Sequence, residues 1–233
     1  MEIKPVARIR SCFGEKFGAP RQPGLCPSAW GELVFEPDFR QAEALRGIEG
    51  FSHLWLIFGF HLTAGGGWHP TVRPPRLGGN ERVGVFASRS TFRPNGLGLS
   101  LVKFDGLEKR PNDGTVLRLG GIDLVHGTPV YDVKPYLPYA ESPVEAHGGF
   151  AHEEPVRLFV DVDSAKGFQN LPLRSQLVIR EALSLDPRPA AGSNEAGRIY
   201  GVGLCGIEVK FQVDENVCRV ISIERSSGSG LKG

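Results

Sequence analysis

The stretch Gly201-Val202-Gly203-Leu204-Cys205-Gly206-Ile207-Glu208-Val209-Lys210-Phe211-Gln212-Val213 decides between two fold classes. Its first six residues satisfy G-x-G-x-x-G, the glycine pattern that cradles a pyrophosphate where a strand runs into a helix N-terminus. The residues after Gly206 carry no helix pattern. Ile207, Val209, Phe211 and Val213 alternate with Glu208, Lys210 and Gln212, the period of a half-buried strand. The glycines are therefore expected at a bulge or bend, and a nicotinamide oxidoreductase built on Gly201–Gly206 is excluded if the following segment is a strand. Outward from this stretch, Asp214-Glu215-Asn216 reads as a hairpin turn into a strand over 217–224, with another strand over 197–202. Residues 155–162 suggest one more strand. Residues 173–183 suggest a helix with Leu173, Leu177, Val178, Ala182 and Leu183 on one face.

Upstream, short β-type runs separated by Pro/Gly-rich loops predict strands over 5–10, 32–35, 53–60, 83–88, 98–104, 115–122 and 128–133. A helix is predicted over 37–45, where Phe39, Ala42 and Leu45 recur at helical spacing. No βαβ alternation is visible. The expectation is a mainly β protein: an N-terminal antiparallel β-barrel over 1–142, a linker over 140–154, a smaller α+β domain over 155–225, and a flexible tail over 226–233.

Composition agrees. With 31 Gly and 18 Pro in 233 residues but no repeat, the chain is turn-rich without being collagen-like, and its 40% apolar content allows a real core. Lys+Arg number 27 against 26 Asp+Glu, so neither a polybasic nor an acidic disordered protein is in question. Charge is local instead. Arg73, Arg76, Arg82, Arg89, Arg93 and Lys103 face only Glu81 within residues 73–103, a density that steers polyanions. No run reaches the ~18–20 apolar residues of a membrane span, and the N-terminus lacks an export signal, so a cytoplasmic protein is expected. Cys12, Cys26, Cys205 and Cys218 show no metal or disulfide spacing, and the six His show no ligand pattern. The expectation is reduced thiols packed as small apolar groups, and no metal.

Three polar loops could carry chemistry. Gly84-Val85-Phe86-Ala87-Ser88-Arg89-Ser90-Thr91-Phe92-Arg93-Pro94-Asn95-Gly96-Leu97-Gly98-Leu99-Ser100 joins two apolar runs through small residues and two Arg, whose planar forks suit carboxylate or phosphate. Asp123 to Tyr139 gathers two acids, Lys134 and three Tyr around prolines, and Pro20-Arg21-Gln22-Pro23-Gly24 is the third. Composition alone selects no chemistry for them.

On these residues the chain resembles the TsaA-like, or TrmO, family of S-adenosylmethionine-dependent tRNA methyltransferases. The resemblance rests on Arg21-Gln22-Pro23-Gly24, Phe51-Ser52-His53-Leu54-Trp55, Thr71-Val72-Arg73-Pro74-Pro75-Arg76, the run from Gly84 to Ser100, that from Asp123 to Tyr136, and Asp186-Pro187-Arg188-Pro189. It departs at His126, where the family usually has Asp, and at Gly96-Leu97, where Pro-Ile is usual. The resemblance implies methyl transfer to N6 of N6-threonylcarbamoyladenosine, at position 37 in the tRNA anticodon loop. It also implies cofactor contacts at Arg21, Gln22, Pro23, Phe60, His61, Arg89, Leu99, His126, Gly127, Thr128 and Pro129, and a homodimer.

Beside the cofactor loop, Asp132 or Tyr136 would take or orient the N6 proton, with Lys134 stabilising charge on the carbamoyl oxygen. Arg73, Arg76, Arg93 and Lys103 would grip phosphate, and Trp68 or Tyr136 would stack on a base. Two other readings compete: an RNA-binding β-barrel without catalysis, and a methyltransferase of this fold with another substrate.

Overall fold

A computed structural model of the chain describes residues 2–189 and 197–225; the expected tail lies outside them. Six strands, β1 (Ala7–Ser11), β2 (Trp30–Phe35), β3 (His53–Gly59), β6 (Leu97–Arg110), β7 (Gly114–Gly120) and β8 (Pro129–Pro135), pair in the order β1-β2-β7-β6-β3-β8 and close back on β1, all antiparallel. Alternation sets the inside: Leu54, Leu56 and Phe58 of β3 and Ser100 and Val102 of β6 are buried, while Trp55, Ile57 and Leu99 turn outward.

The run at 83–88 does not join this closed sheet. Val83–Gly84 (β5) pairs only with Thr71–Val72 (β4), and the chain then bends into a 3-10 turn at Val85–Ala87. A partner two residues long gives a ladder nothing to extend along. The helix expected over 37–45 is two 3-10 turns, Pro37–Phe39 and Ala42–Leu45, broken where Gln41 is extended. So short a segment gains little from helix propagation, and Phe39 stays partly exposed.

The second sheet has the order β10-β11-β12-β9, with β9 (Phe159–Asp161), β10 (Ile199–Leu204), β11 (Ile207–Asp214) and β12 (Val217–Arg225). The glycine pattern over 201–206 ends in a hairpin. Leu204 pairs with Ile207, and both Cys205 (φ 54°) and Gly206 (φ 73°) between them are left-handed, as a two-residue type I′ turn requires. Between the two sheets in sequence, α1 (Pro138–Glu141) is a single turn that runs into the start of the expected linker; α2 (Leu173–Ser184), between β9 and β10 in the chain, packs on both. The buried stripe of α2 is Val178, Ile179, Ala182 and Leu183, not the expected Leu173 and Leu177, which are exposed. Those two share the i, i+4 row of Glu181, whose carboxylate accepts the Ser28 amide at 2.8 Å and its hydroxyl at 2.7 Å.

One core runs through both sheets, with Phe13, Phe168 and Phe211 among its largest buried side chains. The seam is a bridge from Phe13 to Leu204, reinforced by the Cys205 amide on the Cys12 carbonyl at 2.7 Å. All four cysteines are free; burial pushes the Cys26 and Cys218 thiols up. No helix among the described residues is long and apolar enough to cross a membrane.

Gly98 is fixed by contact rather than by backbone angle. A Cβ there would lie 2.3 Å from the Phe58 ring, which is 6% exposed inside the closed sheet. Gly98→Ala is expected to destabilise the protein by about 2 kcal/mol. A thermal melt should show this as a fall of about 4–8 °C.

Candidate functional site

The antiparallel order puts three long connections at one end of the closed sheet: 12–29 after β1, 60–96 after β3 and 121–128 after β7. Each carries one of the polar loops found in the sequence. Their contacts tie them together. The Arg89 Nη1 donates to Gln22 Oε1 at 2.5 Å, joining loops 67 residues apart. The Gly24 amide donates to the Gly121 carbonyl at 2.8 Å. Asp123 Oδ1 accepts the Ser100 hydroxyl at 2.5 Å and lies within the field of Arg89.

A second group closes the ring of contacts. The Phe60 amide donates to the Gly96 carbonyl at 2.9 Å, and Phe60 packs edge-on against Phe58 at 5.0 Å. The 126–129 turn is pinned by its backbone: His126 N–H to Phe13 O at 2.8 Å, Gly127 N–H to Ile9 O at 2.7 Å, and the Thr128 hydroxyl to Val125 O at 2.7 Å. Gly127 sits at φ 82°, and a Cβ built on it would come 3.9 Å from His61 Nε2. That angle favours glycine. Partial burial and nearby Arg8 hold the His61 imidazolium below its ordinary range.

The two departures from the family pattern have plain structural readings. The His126 side chain is exposed and its amide is engaged on Phe13 O, so the change of side chain leaves this backbone contact in place. Gly96 is left-handed at φ 58° and its amide donates to Arg93 O at 3.1 Å; proline could do neither.

Asp123 is a functional candidate that the sequence did not single out. Enclosure raises its carboxyl to about 6, against the lowering pull of the Ser100 hydroxyl and Arg89. A carboxyl perturbed in this way beside a cation, among the three gathered loops, is a candidate for a functional group. The usable signal was its place at the head of the Asp123 to Tyr136 motif.

The residues expected for catalysis are not gathered here. Asp132 stands three residues along β8 from Pro129, in one register row with Ile57 and Leu99 across β8, β3 and β6. Two strand spacings, about 10 Å, separate Asp132 from Leu99. Asp132 and Lys134 form a loose, exposed pair at 3.9 Å. Tyr136 is at the other end of the sheet, its amide on His53 O and its ring against Trp55 and His53. The seven-residue step from Pro129 to Tyr136 spans about 23 Å of strand.

The phosphate candidates divide too. Arg76 donates to the carbonyls of Ala151 and Glu153, and Arg93 to those of Val85 and Ser88, so both hold loops together. Lys103 pairs with Asp105 at 2.9 Å, near the Tyr136 end of the sheet. Arg73 is exposed, and neither it nor Arg21 has a hydrogen-bond or ion-pair partner among the described residues.

Comparison with known proteins settles the kinship of this fold. The family model for the tRNA-methyltransferase O N-terminal domain matches residues 8–142, and that for the TrmO C-terminal domain matches 162–226. The chain belongs to the TrmO family. The Escherichia coli (strain K12) tRNA (adenine(37)-N6)-methyltransferase is 47% identical over 230 residues, 96% of this chain and 97% of that protein. A Pseudomonas aeruginosa relative named as an S-adenosylmethionine-dependent methyltransferase is 43% identical over 228 residues, 95% of this chain and 96% of its own. The crystal structure of TrmO from Pseudomonas aeruginosa superimposes with a TM-score of 0.78 at 38% identity, covering 96% of this chain and 98% of that one.

The donor set at the connected end fits S-adenosylmethionine. Arg21 and Arg89 suit its carboxylate, and Asp123 with the pinned backbone of 126–129 suits its ammonium, hydroxyl or adenine polar atoms. Phe60 and the 50% exposed Leu99 offer apolar faces.

Proposed function

We propose that this TrmO-family chain transfers the methyl group of S-adenosylmethionine to N6 of N6-threonylcarbamoyladenosine at position 37 of tRNA. The observation that carries this is the Arg89–Gln22 contact joining two sequence-distant motifs, beside Asp123 and at the end of the sheet that also bears Phe60, His61 and the 126–129 turn. When bound, the sulfonium supplies an electrophilic methyl group.

The chain's part is binding, orientation and proton handling. Arg21 and Arg89 hold the donor's carboxylate, and Gln22, fixed on Arg89, shapes that pocket together with Pro23. Phe60 and Leu99 exclude water from its apolar parts. The acceptor nitrogen joins a purine to a carbonyl, so its lone pair is delocalised and loss of its proton assists attack. Asp132 is the base for that proton, on the register row of Leu99, and Lys134 stabilises charge on the carbamoyl oxygen. Tyr136, far along β8, reaches the acceptor from a second copy of the chain, which makes the working form a homodimer. Its exposed Phe86 and Leu62 are the kind of apolar surface a second copy covers.

On this reading residues 1–142 form the TsaA-like barrel that binds cofactor, 155–225 form a supporting α+β unit, and the enzyme works in the cytoplasm. Mass spectrometry of tRNA from cells lacking the gene tests the assignment: N6-methyl should vanish from threonylcarbamoyladenosine and return with the gene. Asp132→Asn should lower kcat by about 100-fold while leaving donor affinity unchanged by calorimetry. Near-normal kcat at saturating donor and tRNA would remove Asp132 as base.

A further inference from the structure

The 60–96 connection carries an open concavity of about 370 Å³ that the cofactor reading leaves unused, lined by residues that include His69, Thr71, Arg73, Arg82, Ser90 and Phe92. Two segments build it. The His69 amide donates to Phe92 O at 3.3 Å, and the Val85 amide to Pro70 O at 3.0 Å, so 69–72 and 82–92 lie side by side as a paired ribbon that carries the lining residues. One wall is aromatic: the His69 and Phe92 rings meet at 5.2 Å, with Trp68, 52% exposed, next in the chain. The rim is cationic. Arg82 is steadied by an Nη1–Thr71 Oγ1 hydrogen bond at 3.1 Å, which leaves its other nitrogens available. Arg73 has no hydrogen-bond or ion-pair partner among the described residues, and no acid lines the cavity.

These features differ from a phosphate track. Backbone phosphates are gripped by cations along an open surface. Here a ring wall and two guanidinium groups share one cavity, of a volume ordinary for a small ligand. That combination suits a planar base bearing an anion: ring stacking for the base, fork-to-fork pairing for a carboxylate. The cavity also shares its wall with the cofactor site. Ser90 and Phe92 face it from the same turn on which Arg89 reaches Gln22.

We propose that this cavity is the acceptor-base subsite, in which Phe92 stacks on the adenine with the tilted His69 ring against its edge, and Arg73 and Arg82 bind the carboxylate ending its N6 substituent. It rests on the methyl-transfer reading for the identity of the base. It moves Arg73 from phosphate gripping to substrate choice and gives Arg82 a role. The same cations would bind an anticodon-loop phosphate by the same chemistry, so the test must separate carboxylate from phosphate.

The experiment uses the full chain, titrated by calorimetry with three free nucleosides: N6-threonylcarbamoyladenosine, its carboxamide and adenosine. No phosphate is present in any of them. The wild type should bind the acid at least 10-fold more tightly than the carboxamide, and Arg73→Gln/Arg82→Gln should erase that difference. Both side chains are exposed, so folding is spared, and a matched melting curve checks it. Equal wild-type affinity for acid and carboxamide overturns the subsite, as does a double variant that keeps the preference. Turnover on tRNA is read separately. If the wild type methylates acid-bearing tRNA yet does not discriminate the nucleosides, the subsite fails and the function stands. If it discriminates them yet methylates no tRNA, the subsite stands and the methyl-transfer reading fails.

Discussion

Replacing Arg89 by Ala is expected to weaken binding of S-adenosylmethionine, and of its demethylated product, by about 100-fold. Arg89 is exposed and makes one side-chain hydrogen bond, to Gln22, so the fold does not depend on it. A charge-assisted hydrogen bond to a carboxylate contributes about 1.5–3 kcal/mol, which corresponds to roughly 10–150-fold in affinity. Among the described residues Arg89 is also the only cation that lowers the Asp123 carboxyl. Gln22→Ala should cost less, since the amide orients the guanidinium and carries no charge. Calorimetric titration of the product into both variants decides the order. Unchanged affinity in Arg89→Ala would remove this residue from the donor site, and with it the main support for the site's location.

The strands were legible wherever one face is buried along their length. Ile207 to Val213 alternates in sequence, and β11 alternates in burial over the same residues. The turn at Cys205 and Gly206 was legible only as a bend, because left-handed geometry at a cysteine is imposed by the pairing of Leu204 with Ile207. Apolar spacing misled where tertiary contacts, not periodicity, settle the outcome. Phe39, Ala42 and Leu45 mark a helix that the extended Gln41 interrupts, and Leu173 and Leu177 yield their place on α2 to Ile179.

The site divides in the same way. Loops that resemble the family are brought together, because the antiparallel order delivers three connections to one end. Nearness in sequence was a poor guide along β8, where each residue advances about 3.3 Å; Tyr136 is close to Pro129 in number and far from it in space. Asp123 stood in the sequence only as the head of a motif, because the groups that act on it, Ser100 on β6 and Arg89, are distant in sequence. Nothing in its immediate neighbours announces it.

The enclosure of Asp123 has a measurable consequence, because its carboxyl titrates near 6 when folded and near 3.8, its ordinary value, when the chain is open. Between these two values the folded state holds a proton that the unfolded state has lost. Stability therefore falls as pH rises from about 4 to 6, and the deficit persists above 6. The shift corresponds to at most about 3 kcal/mol. Asp123→Asn keeps an acceptor for the Ser100 hydroxyl and removes the charge. It should match the wild type near pH 4 and melt progressively higher as pH climbs through 6, with the full gap present at pH 7. Donor affinity should move the other way, since the variant no longer offers a carboxylate to a cationic group and no longer steadies Arg89. Melting curves across pH 4 to 8, with and without the demethylated product, read both effects. A variant that tracks the wild type at every pH would mean that Asp123 carries no buried charge at neutral pH, and its place in the donor site would fall with that result.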